Sequence, residues 1–265
     1  MNSSSRDKQY KTGGVPIINR YHDDLIFITK HGYIHDKLTV GGKAHNLRLI
    51  ADWYVPEYVI IPAETEDVDA VVESAYRRVM TDWNCRHYAV RSSAECEDGK
   101  EQSYAGVFDS YLDVPLTSLA HTVRRVRNSV TNIEGVPPKM GVIIMPMVQA
   151  DISGVLFSKE PVEGTNRMLV EYERGAGGVV DGTSNTTQLF LDSENLFEMS
   201  ESIGVGNYEV ADFLFRSPIY SLWREAKRLE SAFTSPVDIE WAMTKADRQL
   251  HILQVRPITA MKETA

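Results

Sequence analysis

An α+β protein built as two lobes is what this 265-residue sequence predicts, and three observations carry that expectation. The order of strand-like and helix-like stretches along the chain suggests two α+β lobes. The last stretches, Pro236–Met243 and Leu250–Pro257, are rich in β-branched and aromatic residues and bracket the turn-like Lys245-Ala-Asp-Arg248, the pattern of an antiparallel hairpin. Near the middle, Gly135-Val-Pro-Pro138 breaks the regular pattern and separates a first lobe, residues 21–138, from a second, residues 139–265. Residues 1–20 are polar, with Gly13-Gly14 and Pro16, and read as a loose arm.

The elements follow in order. A strand is expected at Leu25–Thr29, a helix opens at Gly41-Gly42 and runs to about Asp52, and a second strand covers Tyr58–Ile61 up to Pro62. The next helix has the clearest pattern: Thr65 caps it, Glu66 and Asp67 suit the positive end of its dipole, and Val68, Val71, Val72, Ala75, Tyr76 and Val79 form one apolar stripe. Strand His87–Arg91 leads into a polar loop over 92–104, followed by strand Val107–Val114. An amphipathic helix spans about Leu116–Val130, and its Arg124, Arg125 and Arg127 read as a solvated face. Strands are expected at 141–149, 153–158, 167–173 and 186–191. A helical stretch over about 208–233, interrupted at Pro218, precedes the hairpin. No repeat or low-complexity tract stands out.

Composition narrows the function classes. A formal net charge of −9 and a pI near 5.3 exclude a general nucleic-acid binder, whose phosphate contacts need a basic surface. Cys85 and Cys96 are too few for a disulfide framework or a four-ligand zinc site. No apolar run approaches ~18 residues, and the N-terminus lacks an apolar signal region, so a soluble cytoplasmic protein with no membrane contact is expected.

Alternation in the hairpin places Asp238 and Glu240 on one face of the first strand and Ile239, Trp241 and Met243 on the other. Gln254 and Arg256 share a face of the second strand. If Glu240 lies opposite Gln254, Asp238 lies opposite Arg256, and four polar groups gather together. Such a set suits a magnesium ion bound to phosphate; an exposed polar face carrying a surface ion pair is the other reading the pattern allows. Further segments suit phosphates. Gly41-Gly42-Lys43 offers amide donors and a cation near a helix start, without being a Walker P-loop. Arg91 is delivered from a strand end into an acidic loop with Glu95, Glu97, Asp98 and Glu101, which covers nucleotide phosphates or is simply solvated. Gly175-Ala-Gly-Gly178 lies close to a ligand or makes a turn.

In this order, Gly41-Gly-Lys-Ala-His-Asn-Leu47, Ala89-Val-Arg-Ser-Ser-Ala-Glu-Cys-Glu-Asp98, Ser103-Tyr-Ala-Gly106, Met147–Phe157, Asp238-Ile-Glu-Trp241 and Ile252–Thr259 resemble the N-terminal nucleotide-binding domain of the pyruvate phosphate dikinase and phosphoenolpyruvate synthase family, a domain shared with rifampicin phosphotransferases. The resemblance implies an ATP-grasp fold, two lobes with mostly antiparallel sheets and the nucleotide between them. It implies that Lys43 and Arg91 bind ATP phosphates, that Glu240 and Gln254 ligate Mg2+, and that Arg256 stabilises the transferring phosphoryl group. Met145, Met147 and Val148 would pack the adenine, although methionines there also serve as core filler. The implied activity is an ATP- and magnesium-dependent phosphotransferase of the dikinase type, releasing AMP. Its acceptor would be a small molecule or a histidine on a separate swivel protein. An ADP-forming small-molecule kinase and a nucleotide-binding module without turnover are the alternatives.

The sequence departs from the family where Met145 replaces a common Gln, where Gly175-Ala-Gly-Gly178 lacks the family's glutamate, and in the short spacings from Lys43 to Arg91 and Met145, which imply a trimmed first lobe. The family's phosphoryl-carrying histidine has no counterpart: histidines 22, 31, 35, 45, 87, 121 and 251 all lack its context. The expectation is a stand-alone nucleotide-binding chain with a separate acceptor.

Overall fold

The computed structural model describes residues 26–28, 40–50, 54–68, 70, 72, 83, 85–94, 108–129, 139–176, 186–194, 218–244 and 248–258. Within them ten strands form two antiparallel five-stranded sheets. The first holds β1 (Ile26–Ile28), β2 (Tyr58–Ile61), β3 (His87–Ala94), β4 (Ser110–Pro115) and β5 (Met140–Pro146) in the order β1-β2-β5-β3-β4. The second holds β6 (Ile152–Phe157), β7 (Arg167–Arg174), β8 (Thr187–Asp192), β9 (Val237–Met243) and β10 (Leu250–Pro257) in the order β10-β9-β6-β7-β8. Helices α1 (Gly42–Leu49), α2 (Leu119–Asn128) and α3 (Pro218–Phe233) pack on them.

Alternation sorts the first sheet's side chains between two cores. Val142 and Ile144 of β5, with Val59, Ile61, Tyr88 and Val90, face α2 through Leu119, Val123 and Val126. Ile143 and Met145 turn the other way and join Ile60 and Ala89 in a second core, which α1 closes with Ala44 and Leu47. The same core continues under the second sheet, where Leu156, Val170, Ile239 and Trp241 meet Leu222, Ala226 and Leu229 of α3. One continuous apolar core therefore holds the sheets at a fixed spacing, at roughly 1.5–3 kcal/mol for each fully buried large side chain.

Four expectations need correction. β5 pairs with β2 and β3, so a strand placed beyond the boundary at 138 belongs to the first sheet, and the chain crosses between sheets at 147–151. Gly135-Val-Pro-Pro138 lies outside the described residues. Second, β3 runs on to Ala94, beyond the predicted end at Arg91, because Ser92 and Ser93 are fully buried and paired with β5 instead of opening a loop. Third, Asp67, not Thr65, caps the helix after Pro62: its Oδ1 accepts from the Ala70 N–H at 3.0 Å. Of the arginines expected on the solvated face, Arg127 departs, donating to the Ala63 carbonyl at 2.9 Å with its pKa lowered by burial. The arm, the loop 95–104, the residues 208–217 and Gly177-Gly178 lie outside the described residues. No helix among the described residues is long and apolar enough to cross a membrane.

Candidate nucleotide site

The hairpin of β9 and β10 has the register on which gathering the four polar groups depended: Glu240 pairs with Gln254 and Asp238 with Arg256. Strict alternation alone would not allow it. Leu250 and Ile252 lie in the core opposite Met243 and Trp241, and an even spacing would send Gln254 to the same side. A β-bulge between Ile252 and Gln254 inserts Leu253 and switches the face, so the apolar half of β10 packs inward while Gln254 and Arg256 turn to the cleft.

From the first sheet, Arg91 reaches across to this face. Its Nη1 donates to Glu240 Oε2 at 2.8 Å, with the two side chains only 9% and 13% exposed, and lies 3.4 Å from the Leu253 carbonyl oxygen. The polar face is thus no solvated surface; it is the floor of a gap between sheets. Arg256 donates through Nε to Asp238 Oδ2 at 2.7 Å, and its Nη2 stands 2.6 Å from the same oxygen. Burial by itself pushes the Glu240 carboxyl up, but the Arg91 charge, then Lys43, the hydrogen bond from Arg91, and Arg256 outweigh it and hold the pKa below the usual carboxylate value.

Lys43 is placed by α1. Gly41 precedes the helix with φ +81°, and a Cβ there would sit 1.8 Å from the Ser93 carbonyl oxygen, so only glycine fits. Having no side chain, Gly41 cannot cap the helix. Ser93 does so from β3, its Oγ accepting from the Ala44 N–H at 3.0 Å, while Lys43 Nζ donates to Ser92 Oγ at 3.3 Å. The serine pair that reads as a loop is the mount for the lysine. The Met147 N–H donates to the His87 carbonyl at 2.9 Å and fixes the crossing segment beside β3.

All eight residues singled out from the sequence (Lys43, Arg91, Met145, Met147, Val148, Glu240, Gln254 and Arg256) line one cavity of about 830 Å3. That is the size of a small-molecule or cofactor site. Its walls combine cations and hard oxygen donors with the apolar Ala89, Met145 and Met147. Asp238, placed opposite Arg256 from the sequence, holds it by an ion pair, while sequence reasoning missed the stretch Phe108–Leu112 as a further wall. β4 is fully buried only at Val114, a property of the fold that its sequence does not announce. Ala176 also lines the cavity, next to Gly175 at φ +88°.

The family description "pyruvate phosphate dikinase, AMP/ATP-binding domain" matches residues 55–211 and 198–265, well over half the chain. The chain belongs to this family. As a member it is a nucleotide-binding domain, and its two sheets with the cleft between them form an ATP-grasp fold. An uncharacterized phosphotransferase of Bacillus subtilis (strain 168) is 26% identical over 210 residues, 67% of this chain and 25% of that protein. A probable phosphoenolpyruvate synthase of Pyrococcus abyssi (strain GE5 / Orsay) is 26% identical over 77% of this chain and 30% of its own length. The rifampicin phosphotransferase of Streptomyces sviceus is 31% identical over 66% of this chain and 23% of its own. The chain thus spans under a third of the length of these curated relatives. Among solved structures, a Pyrococcus horikoshii Ot3 protein superposes with a TM-score of 0.51 at 13% identity, covering 84% of this chain and 93% of that one, a likeness of fold.

Proposed function

We propose that this domain is the ATP-using part of an ATP- and magnesium-dependent phosphotransferase of the dikinase type, which phosphorylates a small molecule or a partner histidine and releases AMP. One observation carries the reading: Lys43, Arg91, Glu240, Gln254 and Arg256, scattered over more than 200 residues of sequence, converge on a single cleft between the sheets. In the proposed mechanism Lys43 and Arg91 hold phosphate oxygens, and Met145, Met147 and Val148 pack the adenine. Arg256, fixed by Asp238, faces the group in transfer, where charge develops. The lobes are the two sheets with their helices.

The donor set fits magnesium. Glu240 and Gln254 offer two hard oxygens from neighbouring strands, and this metal takes one or two protein oxygens together with phosphate oxygens and water. Bound there, the ion supplies neutralisation of phosphate charge. The test is the nucleotide product formed with ATP, magnesium and candidate acceptors. AMP is expected, and Glu240→Ala abolishes its formation. Accumulation of ADP would overturn the dikinase assignment, and absence of any ATP binding would overturn the site.

A further inference from the structure

The site described above is already internally paired across the cleft. Arg91 stands on β3 in the first sheet and Glu240 on β9 in the second, and their 2.8 Å ion pair bridges the gap the nucleotide would occupy. A second observation marks Arg91 as incompletely satisfied: its Nε is buried and has no hydrogen-bond partner. Its Nη1, by contrast, is committed to Glu240 and close to the Leu253 carbonyl. Glu240 in turn is faced by Arg91, Lys43 and Arg256, the cations that would meet the phosphates.

We propose that the Arg91–Glu240 pair is a selectivity latch that admits nucleotide and metal together and disfavours either alone. The proposal rests on the assignment of this cleft to magnesium and ATP. A triphosphate entering without metal would draw Arg91 away and leave the Glu240 carboxylate, only 13% exposed, unpaired against a polyanion. Metal entering without nucleotide would take Glu240 and leave Arg91 unpaired beside a cation. When both enter, each partner of the pair exchanges one opposite charge for another, and no buried charge is stranded. Coupling of this kind is reciprocal: whatever factor metal adds to nucleotide affinity, nucleotide adds to metal affinity. The pair therefore sets the preference for metal-complexed over metal-free nucleotide, a role separate from direct ligation.

The experiment is equilibrium binding, without turnover, on the whole chain. ATP is titrated calorimetrically into wild type and Glu240→Gln, in EDTA and in magnesium. Magnesium raises the wild-type affinity at least about fivefold, the lower end of the usual range for coupled sites. In Glu240→Gln the latch is open, so metal-free ATP binds more tightly than to wild type even though a metal ligand has been removed, and magnesium adds little. The reciprocal arm uses Mn2+ alone, followed by electron paramagnetic resonance: Arg91→Met binds it more tightly than wild type does. A Glu240→Gln protein that binds metal-free ATP no better than wild type, together with an Arg91→Met protein that binds Mn2+ no better, overturns the latch while leaving the nucleotide assignment standing. Wild type that binds no ATP under either condition overturns both.

Discussion

Glu240 decides the charge balance of the cleft. Its carboxyl is held below the unfolded value of about 4.3 by Arg91, Lys43 and Arg256 against the effect of burial, so the stabilisation it contributes is fully present above that value and lost as pH falls through the depressed folded pKa. The stability advantage of wild type over Glu240→Gln is therefore constant from pH 8 to about 5 and shrinks below about 4, read from denaturant midpoints. An advantage that instead faded between pH 6 and 8 would point to a histidine. Removing one partner of a nearly buried pair costs about 3–5 kcal/mol, which makes the Glu240 variants measurably less stable; a carboxylate on an exposed polar face would have cost little. Lys43→Ala weakens ATP binding, whereas Arg256→Ala slows transfer more than it weakens binding, because an arginine aimed at the transferring group acts mainly in the transition state. Comparing nucleotide Kd with single-turnover rate for both variants checks this, and a normal rate with weak binding in Arg256→Ala reverses the assignment.

At the scale of elements, the two faces of the first sheet have different duties. Leu119 of α2 is fully buried on the outer face, away from the cleft. Leu119→Ala is expected to cost about 2–5 kcal/mol in chemical denaturation and to leave ATP affinity unchanged where the protein is folded. Gly41→Ala should do the opposite of a neutral change at a surface turn. It meets the Ser93 carbonyl and a positive φ together, so it moves the start of α1 and weakens nucleotide binding along with stability. Parallel melts and titrations separate the two cases. The hairpin shows how much of an element its sequence carries. Alternation put Asp238 with Glu240 and Gln254 with Arg256, but which pair stands opposite which depends on the Leu253 bulge, which the sequence does not announce. Nothing in Ile252-Leu-Gln254 distinguishes a bulged strand from a regular one, and the core demand of Leu250 and Ile252 is what forces it.

For the molecule as a whole, a shared apolar core and the Arg91–Glu240 ion pair join the sheets, and the candidate site lies where they meet. None of the chain's seven histidines has the sequence context of a phosphoryl carrier. Incubation with ATP labelled at the β-phosphate is therefore expected to leave this 265-residue chain unlabelled until an acceptor is supplied. Acid-labile, base-stable label on the chain alone would sink that expectation and direct attention to His45 and His87.

The sequence alone set where most strands and helices lie, because periodicity is a local property, and the resemblance to a known family supplied the list of chemistry-bearing residues. Tyr58–Ile61 matched the predicted strand residue for residue, and Lys43, Arg91, Glu240, Gln254 and Arg256 line one cavity. Tertiary structure decided what those groups do to one another. It placed β5 in the first sheet, turned Ser92 and Ser93 from loop residues into supports for α1 and Lys43, and brought Arg91 onto Glu240 across 149 positions of sequence. The physical reason is burial: a carboxylate and a guanidinium read as surface groups until the packing of two sheets removes the water and leaves each the other's partner.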